Sequence, residues 1–170
     1  MAKNIQIKLV EESEKSVLKQ LIEFYEYDFS EFNNHDVNKH GYYGYRYFDH
    51  YWTEDDRVPL FITVDEKIAG FVLINDYCYV LKEKPSRSIA EFFVMRKYRK
   101  QGIGTKVAYL VFDRFKGNWE VLVHPENRVS FHFWKNVIED YTQGDFLTKE
   151  VTTEEWAGTG YIFSSDGKSL

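Results

Sequence analysis

The chain has 170 residues, a formal net charge of −5 and 44% hydrophobic residues, which fits one domain with a substantial buried core. The acidic balance argues against a general nucleic-acid or membrane-surface binder, and no apolar run approaches the ~20 residues of a membrane span. A single cysteine, Cys78, excludes an internal disulfide, and with no basic-then-apolar leader a cytoplasmic setting is expected.

Ile5, Ile7 and Leu9 alternate with polar residues, as a half-buried strand requires. Residues 11–27 switch to helical spacing, with Val17, Leu18, Leu21, Ile22 and Tyr25 on one face and Glu11, Glu12 and Glu14 at the favourable dipole end. Residues 28–56 blur into broken helix and loop, crowded with tyrosines, Phe29, Phe32, Phe48 and Trp52. Residues 60–64 and 68–74 read as a hairpin around Asp65-Glu66-Lys67, residues 76–82 as an extension of that strand or a loop, and residues 83–87 as a connection. Plausible closing strands cover 141–148 and 160–163, with Trp156 between them.

The middle of the chain carries the chemistry. An apolar strand over 89–95 runs through Arg96, Lys97, Arg99, Lys100, Gln101 and Gly102-Ile103-Gly104 into a helical pattern over 103–115. A glycine turn at a helix N-terminus presents unpaired N–H groups and a partial positive charge, so a phosphate or pyrophosphate is the expected ligand. Neither the three-glycine dinucleotide fingerprint nor the phosphate loop with its lysine is present. After the helix come a strand at 119–123 and then His124-Pro125-Glu126-Asn127-Arg128-Val129-Ser130-Phe131-His132-Phe133-Trp134.

The Arg99-to-Gly104 turn followed by Asn127, Ser130 and Phe133 resembles the GNAT superfamily of acetyl-CoA-dependent N-acetyltransferases. The resemblance is motif-specific over residues 88–138 and rests on element order elsewhere. It implies a single N-acetyltransferase domain over residues 1–170, with a mixed, mostly antiparallel α+β sheet flanked by helices. It also implies acetyl-CoA as cosubstrate, with its arm along Phe92, Phe93 and Val94 and its pyrophosphate on the N–H groups from Lys100 through Thr105. Asn127, Phe133 and Trp134 would reach or line the arm, although Asn127 also reads as a plain helix cap.

An amine attacking a thioester needs a deprotonated nucleophile and a polarised carbonyl. The resemblance makes the Val94 N–H the candidate for polarising that carbonyl. Glu91, on the same strand, is the first carboxylate to test as base, with a structural, hydrogen-bonded carboxylate as the competing reading. His124 reads as a residue leading into the helix rather than a base; the resemblance also allows that tyrosines over 25–51 relay protons through water with no dedicated base. The family's usual tyrosine acid is replaced by Trp134, whose indole does not ionise, so either another group donates the proton or none is needed. His35, His40 and His50 lack the spacing of a metal site, and Cys78 reads as a small buried hydrophobe.

Carboxylates and aromatics co-located over 28–56 would attract an ammonium, which makes Tyr27, Asp28, Glu31 and Asp49 the acceptor candidates. The expected function is acetyl transfer to a primary amine of a small cationic acceptor. Two alternatives stay open: a non-catalytic CoA-binding sensor, and a protein acetyltransferase. Oligomeric state stays open too, a homodimer included.

Overall fold

The computed structural model describes residues 2–168 and 170. Seven strands form one sheet in the order β1-β2-β3-β4-β5-β7-β6. In chain order these are β1 (Ile5–Leu9), β2 (Val58–Val64), β3 (Lys67–Asn75), β4 (Ser86–Val94), β5 (Asn118–Val123), β6 (Leu147–Thr152) and β7 (Ala157–Ser164). Three helices, α1 (Lys15–Asn33), α2 (Ile103–Arg114) and α3 (Arg128–Thr142), cover the two faces. Every neighbouring strand pair is antiparallel except β4 with β5.

The β2–β3 hairpin turns on Asp65 and Glu66, both with positive φ, the geometry that matches the twist of two adjoining strands. Both strands are apolar on both faces because helices cover both sides of them. On one face Leu18, Leu21 and Ile22 of α1 pack on Phe61, Phe71, Leu73 and Phe93. On the other, Val107, Val111 and Phe112 of α2 and Val137 and Ile138 of α3 share a core with Leu60, Ile62, Val72 and Trp119. Gly70 permits this close sheet, since a Cβ there would fall 1.9 Å from the Phe93 carbonyl oxygen.

Several boundaries differ from the sequence reading: β4 takes in Ser86 and Arg87 and ends at Val94, β7 starts at Ala157, and α1 begins at Lys15 after a short 3-10 turn over Glu12–Glu14. Helix α1 continues through Asp28 and Phe32 and stops at Asn34, whose left-handed backbone donates back to the Ser30 carbonyl. The tyrosine-rich composition hid this extension, because aromatics disfavour an isolated helix until tertiary packing covers them. Residues 141 and 142 belong to α3, and β6 begins only at Leu147. The connection 76–82 is a loop whose Tyr79, Val80 and Leu81 N–H groups all donate to the fully buried Glu120 carboxylate, at 2.7, 2.9 and 3.0 Å.

Parallel β4 and β5 pair only from Ser86–Asn118 to Ser88–Glu120. Beyond that the two strands have no paired positions. At the same point β4 carries an extra residue against β3, because Leu73 faces Glu91 while Ile74 faces Ile89. The bulged residue is Ala90, and bulges of this kind re-aim side chains.

Removing the Glu120 carboxylate strands three loop N–H groups. Glu120→Ala should lower stability by about 2–4 kcal/mol in urea unfolding. Amide exchange should accelerate first at Tyr79, Val80 and Leu81.

Candidate functional site

A groove and a cleft meet on the α1 side of the splayed strands. The groove, about 620 Å³, is walled by the end of β4, the first turns of α2 and α3, and one side of α1. The cleft, about 1280 Å³, lies between α1, the 43–47 loop, the 75–79 loop and Trp156. Tyr25, Phe29, Phe92, Asn127, Ser130 and Trp134 belong to both walls and mark the junction.

The groove has the chemistry of an anion and acyl-chain site. Its turn places Lys100 and Gly102 in left-handed conformation, and Gly102 caps α2 with the first-turn N–H groups ahead of it. Gly104 leaves its floor open, since a Cβ there would stand 3.1 Å from the Phe133 ring. Met95 donates its N–H to Ala69 on β3, so alternation turns the Val94 N–H and C=O toward the gap on the far side of β4. The Val94 carbonyl is taken by Arg99 Nε at 2.7 Å. Asn127 caps α3, its amide oxygen accepting the Ser130 N–H at 2.9 Å, which leaves Nδ2 as a donor. Trp134 is only 4% exposed and meets Phe92 and Phe133 edge-on, at 4.9 and 5.0 Å between ring centroids.

Glu91 lines the cleft, next in sequence to the junction residue Phe92. Alternation with Phe93 places Glu91 on the α1 face, where the Tyr25 and Tyr45 hydroxyls both donate to its carboxylate, Tyr45 at 3.1 Å. Burial, opposed by those two bonds, raises its pKa from the ordinary 4.5 to about 7. Burial and the neighbouring carboxylate push both phenols upward, so neither ionises at neutral pH. A second carboxylate on the cleft wall, Glu26, is also raised to about 7, by burial and then by Glu23. His124 lines the cleft as well, packed edge-on against Phe29, and its Nδ1 accepts the Glu126 N–H at 3.2 Å. It is thus part of the wall, beyond the lead-in role expected from sequence.

Phe92, Phe93, Val94, Arg99, Lys100, Gly102, Ile103, Gly104, Thr105, Asn127, Phe133 and Trp134 all line the groove. Gln101 does not; its exposed side chain bonds the Lys97 carbonyl and the Lys3 ammonium. The acceptor candidates are displaced from the cleft. Tyr27 is 66% exposed and absent from its wall, which α1 instead furnishes with Tyr25 and Glu26. Glu31 and Asp28 face the groove. Burial opposes the Asp28 charge, but Arg99 at 2.6 Å and Arg96 at 2.7 Å hold its carboxyl below the usual range. Asp49 is paired with Lys15 at 2.7 Å, outside both cavities. Sequence reasoning missed Glu26, and it had Tyr25 and Tyr45 only among the tyrosines over 25–51 that could relay protons; helical spacing placed Tyr25 on the packed face of α1.

Among the described residues no three His, Cys, Asp or Glu side chains group as a metal site would require. Cys78 is buried, and its thiol is pushed up to about 12 by that burial.

The profile of the Acetyltransferase (GNAT) family matches residues 18–137. No curated protein matches the sequence. An aminoglycoside acetyltransferase in complex with coenzyme A superposes with a TM-score of 0.67 at 12% identity, covering 96% of each chain. An acetyltransferase from Thermus thermophilus gives 0.69 at 10% identity over 95% of this chain and 97% of its own. A spermidine N-acetyltransferase from Vibrio cholerae, in complex with CoA and spermine, gives 0.65 at 10% identity over 96% of each. These likenesses establish the fold.

Glu91 yields a stability test with a definite sign. Its native pKa near 7 lies above the unfolded 4.5, so between these values the native state holds the extra proton. Its contribution is therefore full at low pH and is lost as pH rises through 7. Relative to Glu91→Gln, wild-type Tm should fall by roughly 5 °C between about pH 5 and about pH 8. Parallel Tm curves for the two proteins would contradict the buried-carboxylate account.

Proposed function

The chain belongs to the GNAT acetyltransferase family, and from that premise we propose that it transfers an acetyl group from acetyl-CoA to the primary amine of a small cationic acceptor. The observation that carries this reading is Glu91, a cleft-wall carboxylate with a pKa near 7 held by two phenols, one of which, Tyr25, also lines the groove. The structural neighbours named for aminoglycosides and spermidine support an amine as acceptor.

The groove residues fit acetyl-CoA. The gap beside β4 offers unpaired backbone for an extended arm, and the turn from Lys100 to Thr105 offers N–H groups and charge for a pyrophosphate. Bound there, the cosubstrate supplies an activated acetyl group as a thioester. The Val94 N–H, facing the gap, would polarise the acyl carbonyl. In the cleft an acceptor arrives as its abundant ammonium form. The Glu91 carboxylate removes a proton from that nitrogen, and a base titrating near neutrality is ionised often enough to do so and basic enough to hold the proton. Tyr25 and Tyr45 position the carboxylate. Trp134 packs the junction and keeps water out; the neutral amine attacks the acyl carbon, the C–S bond breaks, and the departing thiolate takes up the second proton that the new amide nitrogen sheds, with no tyrosine acid required.

Trp134 in the usual tyrosine position also favours a second reading, a CoA-binding module without turnover. Thiol release from acetyl-CoA, measured across a panel of amines and peptides, separates the two readings. Peptide-only turnover would instead indicate a protein acetyltransferase.

On the first reading kcat/KM should rise with pH along a limb centred near 7. Glu91→Gln should remove that limb and cut kcat about 100-fold, with the KM for acetyl-CoA unchanged.

Gly104→Val probes the cosubstrate site, because its Cβ would stand 3.1 Å from the Phe133 ring and its methyls would enter the groove. CoA binding, read by calorimetry, should weaken at least about tenfold, equivalent to about 1.4 kcal/mol. Wild-type affinity in that variant would remove the groove from the reading.

A further inference from the structure

We propose that the outer end of the cleft is a second cation subsite, formed by Tyr77, Tyr79, Trp156 and Glu155, which selects linear di- and polyamines over monoamines. The inference rests on the acetyl-transfer reading for the inner end of the cleft and extends it.

Size is the first reason. The cleft of about 1280 Å³ exceeds the ~300–1,000 Å³ of common small-molecule sites and continues well past Glu91. The reacting nitrogen of an amine fills only the inner end. An acceptor that uses the remainder must be long, and the chemistry of the far wall decides what its other end carries.

That wall is aromatic and anionic. Tyr79 stacks on Trp156 with ring centroids 6.1 Å apart and planes inclined 29°. Tyr77 meets Tyr79 at a right angle, 5.5 Å away, and is 58% exposed. The Tyr79 hydroxyl reaches Glu155 at 3.5 Å. Aromatic faces beside a carboxylate form an environment that attracts ammonium groups through ring quadrupole and charge together. A neutral or anionic tail gains neither contribution.

The wall is also held in place. The buried Glu120 carboxylate anchors the Tyr79, Val80 and Leu81 N–H groups, fixing the loop beneath the Tyr79 ring. Trp156 is tied through its N–H and carbonyl to Thr153. Its indole lies against Gly158, where a Cβ would come within 2.6 Å of the ring. A rigid aromatic wall loses little entropy on capturing a ligand.

The charges along the cleft point the same way. Among the described residues Glu26, Asp36 and Glu155 line the cleft with no cationic side chain in an ion pair with them. Of the two arginines there, Arg57 is paired with Glu54 at 2.6 Å; Arg46, over the Tyr47 ring, has no carboxylate partner among the described residues, so the three carboxylates outnumber it.

The test compares diaminohexane with hexylamine, equal in length and differing in the distal ammonium. The readouts are thiol release and calorimetric binding in the presence of CoA. Wild type should favour the diamine in kcat/KM by at least about tenfold, a preference that shrinks with added salt. Glu155→Gln, an exposed change that spares the fold, should lower the ratio about threefold, and Glu155→Gln with Trp156→Leu should bring it near one. The KM for acetyl-CoA should hold in both variants. Equal use of the two amines by wild type, or an undiminished ratio in the double variant, would overturn the subsite and leave acetyl transfer standing. Diamine binding that depends on Trp156 but yields no thiol release would uphold the subsite and overturn the transfer reading instead.

Discussion

The parting of β4 from β5 is the constraint on which the rest of this protein depends. A parallel ladder that stops after Ser88 and Glu120 leaves the remainder of both strands with backbone groups facing a gap. Such groups need partners, and an interior gap with polar edges is unstable unless its walls are fixed by other packing. Here the interlocked rings of Phe92, Phe133, Trp134 and Phe112 hold the gap open on one side. On the other, α1 lies across it and converts it into a groove and a cleft with a common boundary.

The Ala90 bulge is the second half of the same device. Strict alternation from Phe93 through Phe92 would place Glu91 with Phe93, and the extra residue brings Ala90 onto that face as well. The bulge lets β4 bend away from β5 while Glu91 still meets two hydroxyls from the covering segments.

Two glutamates show how environment divides one residue type into opposite roles. Glu120 is fully buried and commits its carboxylate to three backbone N–H groups, so its work is architectural. Glu91 is held by two hydroxyls at the edge of a cavity, and burial outweighs those bonds, so it titrates near neutrality. Asp28 illustrates the complementary case. Two arginines neutralise it, which joins α1 to the turn that leads into α2 and removes it from any role as a lone anion for an acceptor.

Local pattern determined a good deal by itself. Alternation at Ile5, Ile7 and Leu9, helical spacing at Val107, Leu110 and Val111, and glycines at 102 and 104 were enough to order the elements and locate the groove. Those features are legible because strand period, helix period and left-handed turns are encoded within a few consecutive residues. The cleft is different. Glu91 meets Tyr25 and Tyr45 across 66 and 46 positions of chain, and Tyr79 meets Trp156 only after β7 returns beside β5. Helical spacing puts Tyr25 on the packed face and Tyr27 off it, but that Tyr25 binds Glu91 is settled only by the fold. Burial and the distance to a partner depend on segments far apart in the chain, so only the tertiary structure decided which carboxylates are paired and which face the cleft.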